Sequence, residues 1–158
     1  MNNTDIDFFD QQYFLTCLAE ECGEIMEILF LKPDSLSELE LEINDLFGVA
    51  ELLKEKKIID FYLDRSSNFY STESKEETLK RIYKIVYDIQ TLSHKSLRFG
   101  IDNINPYLNE TNKRLLEQSL FSLVVTVNGF GFISIYSDFD KKKHKVLKYL
   151  KISKENLI

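Results

Sequence analysis

The chain has 158 residues, 44% of them apolar and 29% charged, with a formal net charge of −6. That is enough chain for one core, or for two very small units sharing one, and too apolar for disorder. The acidic balance leaves no excess of Lys and Arg to neutralise phosphates over a broad surface, which argues against a general nucleic-acid binder and leaves open a small charged ligand held through metal ions.

The first stretch, "MNNTDIDFFD", is acidic and lacks the basic and apolar regions of a secretory signal. No apolar run approaches the roughly 18 to 20 residues that span a bilayer, so a cytoplasmic protein without a membrane segment is expected. From Phe14 to Leu29 the residues Leu18, Cys22, Ile25 and Leu29 recur at spacings of four, three and four, one stripe of a helix. Gly23 costs that helix about 1 kcal/mol relative to Ala. The only cysteines, Cys17 and Cys22, point to different faces of this helix and are expected to be reduced thiols. Phe8, Phe9, Tyr13 and Phe14 fit core packing better than the stacking of a base.

"LKPDS" breaks the pattern, and Ser35 with Glu38 forms a capping box for the next helix. Along it, Leu36, Leu39, Ile43, Leu46, Ala50 and Leu53 alternate by three and four, a seam for packing against another helix. The short connection predicts that the two helices lie antiparallel. Ser66 to Glu77, "SSNFYSTESKEE", is the most linker-like stretch, and Ser74 with Glu77 supplies a second capping box. The third helix carries Leu79, Ile82, Val86 and Ile89 inward and ends at Gly100. "IDNINPYLNET" reads as a loop, with Asn109 or Thr111 placed to cap a fourth helix. Taken locally, "LVVTVNGFGFISIYS" (Leu123 to Ser137) has the β-branched and aromatic content of a hairpin around Asn-Gly. The last segment, "DKKKHKVLKYLKISKENL", is a lysine-rich amphipathic helix with Val146, Tyr149, Leu150 and Ile152 as its apolar positions.

Two acidic pairs carry the candidate chemistry. Residues three apart on a helix are displaced by about 60° around its axis, so Glu21 and Glu24 share one face, as do Glu42 and Asp45. On antiparallel helices the pairs meet at the edge of the apolar seam, concentrating four carboxylates that need protons or divalent cations to coexist. Hard oxygen ligands of this kind suit Mg²⁺ or Mn²⁺. An isolated E-x-x-E pair is more often a solvated helix face, and two pairs on successive helices weaken that plainer reading without removing it.

"LAEECGEI" followed by "ELEINDLFGVAELL" resembles the metal-binding signature of the all-α nucleotide pyrophosphohydrolases, the MazG-like superfamily that also includes dimeric dUTPases. Its pattern is E-x-x-E, a variable spacer, then E-x-x-D, matched by Glu21, Glu24, Glu42 and Asp45. The resemblance implies that these four acids are both the catalytic residues and the Mg²⁺ ligands. The implied reaction cleaves a nucleoside triphosphate, NTP or dNTP, to the monophosphate and pyrophosphate. "LSHKSLRFG", followed by "ETNKRLLEQSL", is similar to the "SKALRFG" and "TNxxRLxxELND" elements of phage-type members, and "KKKHKVLKYLKISKE" to their lysine-rich last helix.

The chain thus resembles two copies of one unit, 8–72 with the acidic site and 73–158 degenerate, an all-α helical bundle that pairs with itself as a pseudo-dimer. This likeness, against local propensity, makes Leu116 to Val127 a helix, with a short irregular or β-like stretch left near 123–137. Overlaying the copies puts Glu117 on Glu42, Leu120 on Asp45, and Ile85 and Asp88 on Glu21 and Glu24, so the second copy keeps two acids of four. It supplies Lys95 and Arg98 as candidate phosphate-binding cations, for which the plainer reading is a solvated helix end. Lys141, Lys142, Lys143 and Lys145 are read as a solvated face. His94 and His144 have no ligand spacing to each other. The alternative to an enzyme is a catalytically inactive nucleotide-sensing or protein-interaction module, and whether two chains pair as a homodimer is left open.

Overall fold

A computed structural model of the chain describes residues 3–63 and 72–156, with side chains from residue 8 onward. Five helices, α1 (Asn3–Leu31), α2 (Leu36–Glu55), α3 (Lys75–Phe99), α4 (Asn112–Phe130) and α5 (Asp140–Glu155), account for most of it. Two-residue strands β1 (Ile104–Asn105) and β2 (Glu110–Thr111) pair antiparallel between α3 and α4. The protein is all-α, as expected. No helix among the described residues is long and apolar enough to cross a membrane.

The seams explain the packing. Leu18, Cys22 and Ile25 on α1 and Leu39, Ile43, Leu46, Ala50 and Leu53 on α2 are almost wholly buried, while Leu29 and Leu36 lie half-buried at the ends of the stripe. α1 packs against both α2 and α3, and α3 against α4. One continuous apolar cluster includes residues from all five helices, so the two halves share a core. In it Phe14 is fully buried, Phe9 and Tyr13 pack at its margin, and Phe8 is exposed.

The helix ends sort by backbone geometry. Ser74 and Thr111 have extended backbones (ψ 159° and 152°), and their hydroxyls accept from the Glu77 and Arg114 amides. Ser35 occupies the corresponding place before α2, but at ψ 73° its side chain makes no capping bond. Glu38 instead receives the Lys32 ammonium at 3.3 Å, which corrects the first capping box. Gly100 ends α3 at φ 99°, a conformation that a Cβ disfavours. Much of the linker-like stretch, residues 66–71, lies outside the described residues.

The hairpin-like stretch is helix as far as Phe130 and irregular over 131–139. Leu116, Leu120, Leu123, Val124 and Val127 all point into the core, and that shared burial outweighs the strand preference of β-branched residues. Asn112 and Lys113, at the start of α4, donate backbone bonds to Asn103 and Ile101 just beyond α3 (2.9 and 2.7 Å), so α4 folds back along α3. On α5 only Val146 and Leu150 are buried. Tyr149 and Ile152 are largely exposed and Leu147 packs at the margin instead, a correction to the expected apolar face.

Candidate metal centre

Glu21 and Glu24 lie in the second half of α1, and Glu42 and Asp45 in the first half of α2. Because the four-residue connection folds α2 back on α1, these segments meet. One oxygen from each of Glu21, Glu24 and Glu42 lies within 4.8 Å of the others, close enough to share one ion. Glu21 is buried at 5% exposure, Glu42 and Asp45 are half-buried, and Glu24 is exposed at the rim. Glu20 and Glu27 on the same helix face solvent.

The electrostatics of this cluster are unfavourable by themselves. Burial first, then the Glu24 and Glu21 carboxyls, pushes Glu42 up to about 8. Burial also raises Glu21, against the opposing pull of Lys142, and raises Asp45, against Lys142, Lys145 and Lys141. Among the described residues no N–H or hydroxyl reaches the buried Glu21 Oε2 and Glu42 Oε2, so that without an ion only a proton shared among Glu42, Glu24 and Glu21 serves them. Orphaned acceptors at a carboxylate junction are unfavourable unless a proton or cation serves them. The all-oxygen donor set fits a hard divalent cation such as Mg²⁺ or Mn²⁺ and fits a soft one poorly.

Asp45 sits outside the close triad, on the side facing α5. There the Lys142 ammonium pairs with Glu21 and approaches Asp45 at 3.9 Å. Only 14% of the Lys142 side chain is exposed, so the reading of this residue as solvated is corrected. Lys143 likewise pairs with Glu55, whereas Lys141 and Lys145 are exposed. A cavity of about 520 Å³ opens beside the acids, lined in part by Glu42, Asp45, Tyr136, Lys141, Lys142 and Lys145.

Asn44 positions the wall of this cavity, a role the sequence did not suggest. It is 1% exposed, its amide donates to the Glu40 and Ser134 carbonyls at 2.8 Å each, and its oxygen accepts from the Tyr136 amide at 2.7 Å. Glu40 adds a bond from the Ser134 amide at 2.9 Å. Together they pin the 131–139 segment to α2 and so set where α5 begins. The only available signal was a polar residue flanked by seam positions, which reads the same whether it is buried or exposed.

Neither Lys95 nor Arg98 is among the residues lining this cavity. Lys95 borders a separate one of about 320 Å³ with Phe99, Asn105 and Tyr107, and Arg98 lies over the Phe99 ring. At the overlaid positions of the second half, Leu120 is fully buried and Ile85 packs at the core margin. Glu117 accepts the Asp60 amide at 2.6 Å. Cys17 and Cys22 are free, and burial pushes Cys17 up to about 11 and Cys22 higher, which keeps both protonated. Comparison with protein-family models, curated proteins and solved structures finds no match.

Proposed function

We propose that the chain is a Mg²⁺-dependent nucleoside triphosphate pyrophosphohydrolase that converts an NTP or dNTP to its monophosphate and pyrophosphate. The observation that carries this reading is the convergence of Glu21, Glu24 and Glu42, with two buried oxygens that no N–H or hydroxyl among the described residues reaches. These residues hold the ion, with Asp45 beside them. Bound Mg²⁺ supplies positive charge to the phosphate oxygens and the pyrophosphate leaving group.

The rest of the pocket suits an anionic, partly aromatic substrate. Lys141 and Lys145 face the cavity as cations for phosphate oxygens, while Tyr136, Phe139 and Leu41 offer an apolar wall to a base. A volume of about 520 Å³ suits a nucleotide-sized ligand. Lys95 and Arg98 would reach a substrate only through a part extending beyond this lining. The arrangement of α1 with α2 and α3 with α4 as successive packed pairs is consistent with a tandem MazG-like repeat, in which two of the four overlaid positions, Ile85 and Leu120, pack apolar side chains on the core.

Incubation with a panel of NTPs and dNTPs plus Mg²⁺ tests the reading, with release of equimolar monophosphate and pyrophosphate from at least one of them expected. Absence of release across the panel would refute it. The Lys142–Glu21 pair favours a second reading, a nucleotide-sensing module whose own lysine partly neutralises the site. Thermal stabilisation by Mg²⁺ plus nucleotide without any turnover is the outcome that reading requires.

A further inference from the structure

We propose that Lys142 is a resident cation of the carboxylate centre, so that the centre takes one divalent ion and holds a lysine ammonium where a second would sit. This rests on the metal-binding reading above and specifies the centre's composition. Lys142 is built into the fold. A Cβ at position 48 of α2 would lie 3.0 Å from Lys142 Cγ, 3.1 Å from its Cβ and 3.5 Å from Phe139 Cβ. Gly48 therefore provides the notch across which the lysine stem passes, and the ammonium emerges on the acid cluster. Of the lysines near the start of α5, Lys142 is the one that reaches Glu21 and Asp45.

The geometry separates two cation positions. The ammonium lies between Glu21 and Asp45, paired with Glu21 Oε1 and 3.9 Å from Asp45 Oδ2. Despite that pairing, no N–H or hydroxyl among the described residues reaches the buried Glu21 Oε2 and Glu42 Oε2, which have only the neighbouring carboxyls beside them, and Glu21 itself is 5% exposed. The triad Glu21, Glu24 and Glu42 converges independently of Asp45. Lys142 thus occupies one side of the centre and leaves the other, where Glu21, Glu24 and Glu42 converge and would hold a divalent ion. A buried ammonium is tolerated because carboxylates surround it.

Calorimetric and electron paramagnetic titration of the full chain with Mn²⁺ tests this through stoichiometry. Wild type is expected to bind one ion and Lys142→Met two, the second filling the place of the ammonium. In chelator, Lys142→Met is expected to melt on the order of 10 °C lower, because carboxylates lose a buried partner. Gly48→Val keeps the lysine but closes its notch, and should reproduce the gain of a second ion even if Lys142→Met folds poorly. Two ions on wild type would overturn the proposal, as would variants that still bind a single ion, only more tightly, since the ammonium would then be a competitor. Failure of wild type and both variants to bind any Mn²⁺ would instead remove the metal-binding reading itself.

Discussion

Glu42 has an ordinary value of 4.5 and is pushed up to about 8 by burial and by the Glu24 and Glu21 carboxyls. Between those values the metal-free folded chain keeps a proton that the unfolded chain has released, so raising the pH lowers stability. Glu21 and Asp45, also raised, act in the same sense. Thermal melts in chelator should therefore fall between pH 5 and pH 8, and Glu42→Gln should flatten that fall. A wild-type melting temperature that rises across this window would contradict the assignment. Asn44 makes the second prediction at this scale. Asn44→Ala leaves the Ser134 carbonyl and the Tyr136 amide without their partner, at a cost of about 2 kcal/mol or more in a denaturant titration. The acids could be read from the sequence because their spacing alone places them on one face. Asn44 could not, because its partners lie far along the chain.

The helix caps distinguish residues that look alike on paper. Ser35 and Ser74 each precede a Glu by three positions, yet only Ser74 has the extended backbone that aims its hydroxyl at the third amide. Ser74→Ala and Thr111→Ala should each cost about 1 kcal/mol, and Ser35→Ala close to nothing, as measured by urea unfolding. Equal losses at Ser35 and Ser74 would contradict the geometry. α4 shows how element type was decided. Its Val-Val-Thr-Val run favours strand locally, but Leu116, Leu120, Leu123 and Val127 recur by three and four and bury one face. α5 is legible as a helix but its facing is not, because the fold turns the Lys142 stem inward and leaves Tyr149 and Ile152 exposed. Its register depends on the notch at Gly48, which no pattern within α5 reveals.

Across the whole molecule, a single core joins an acid-bearing first half to a second half in which Leu120 is buried and Ile85 packs at the core margin. The seams of α1, α2 and α3 made those helices predictable from local spacing, whereas α4 was expected as helix only from the resemblance. The way α5 closes over α2 was not predictable, because it depends on contacts such as that of Asn44 with Ser134, 90 positions apart. That closure gives the centre both a cavity and a lysine. The most direct test of the central claim compares pyrophosphate release from the preferred nucleotide, with Mg²⁺, by wild type and by Glu42→Gln. The account predicts turnover by wild type and a loss of about 100-fold or more in the variant, with helical circular dichroism unchanged. Equal turnover by the two proteins, or none by wild type, would contradict it.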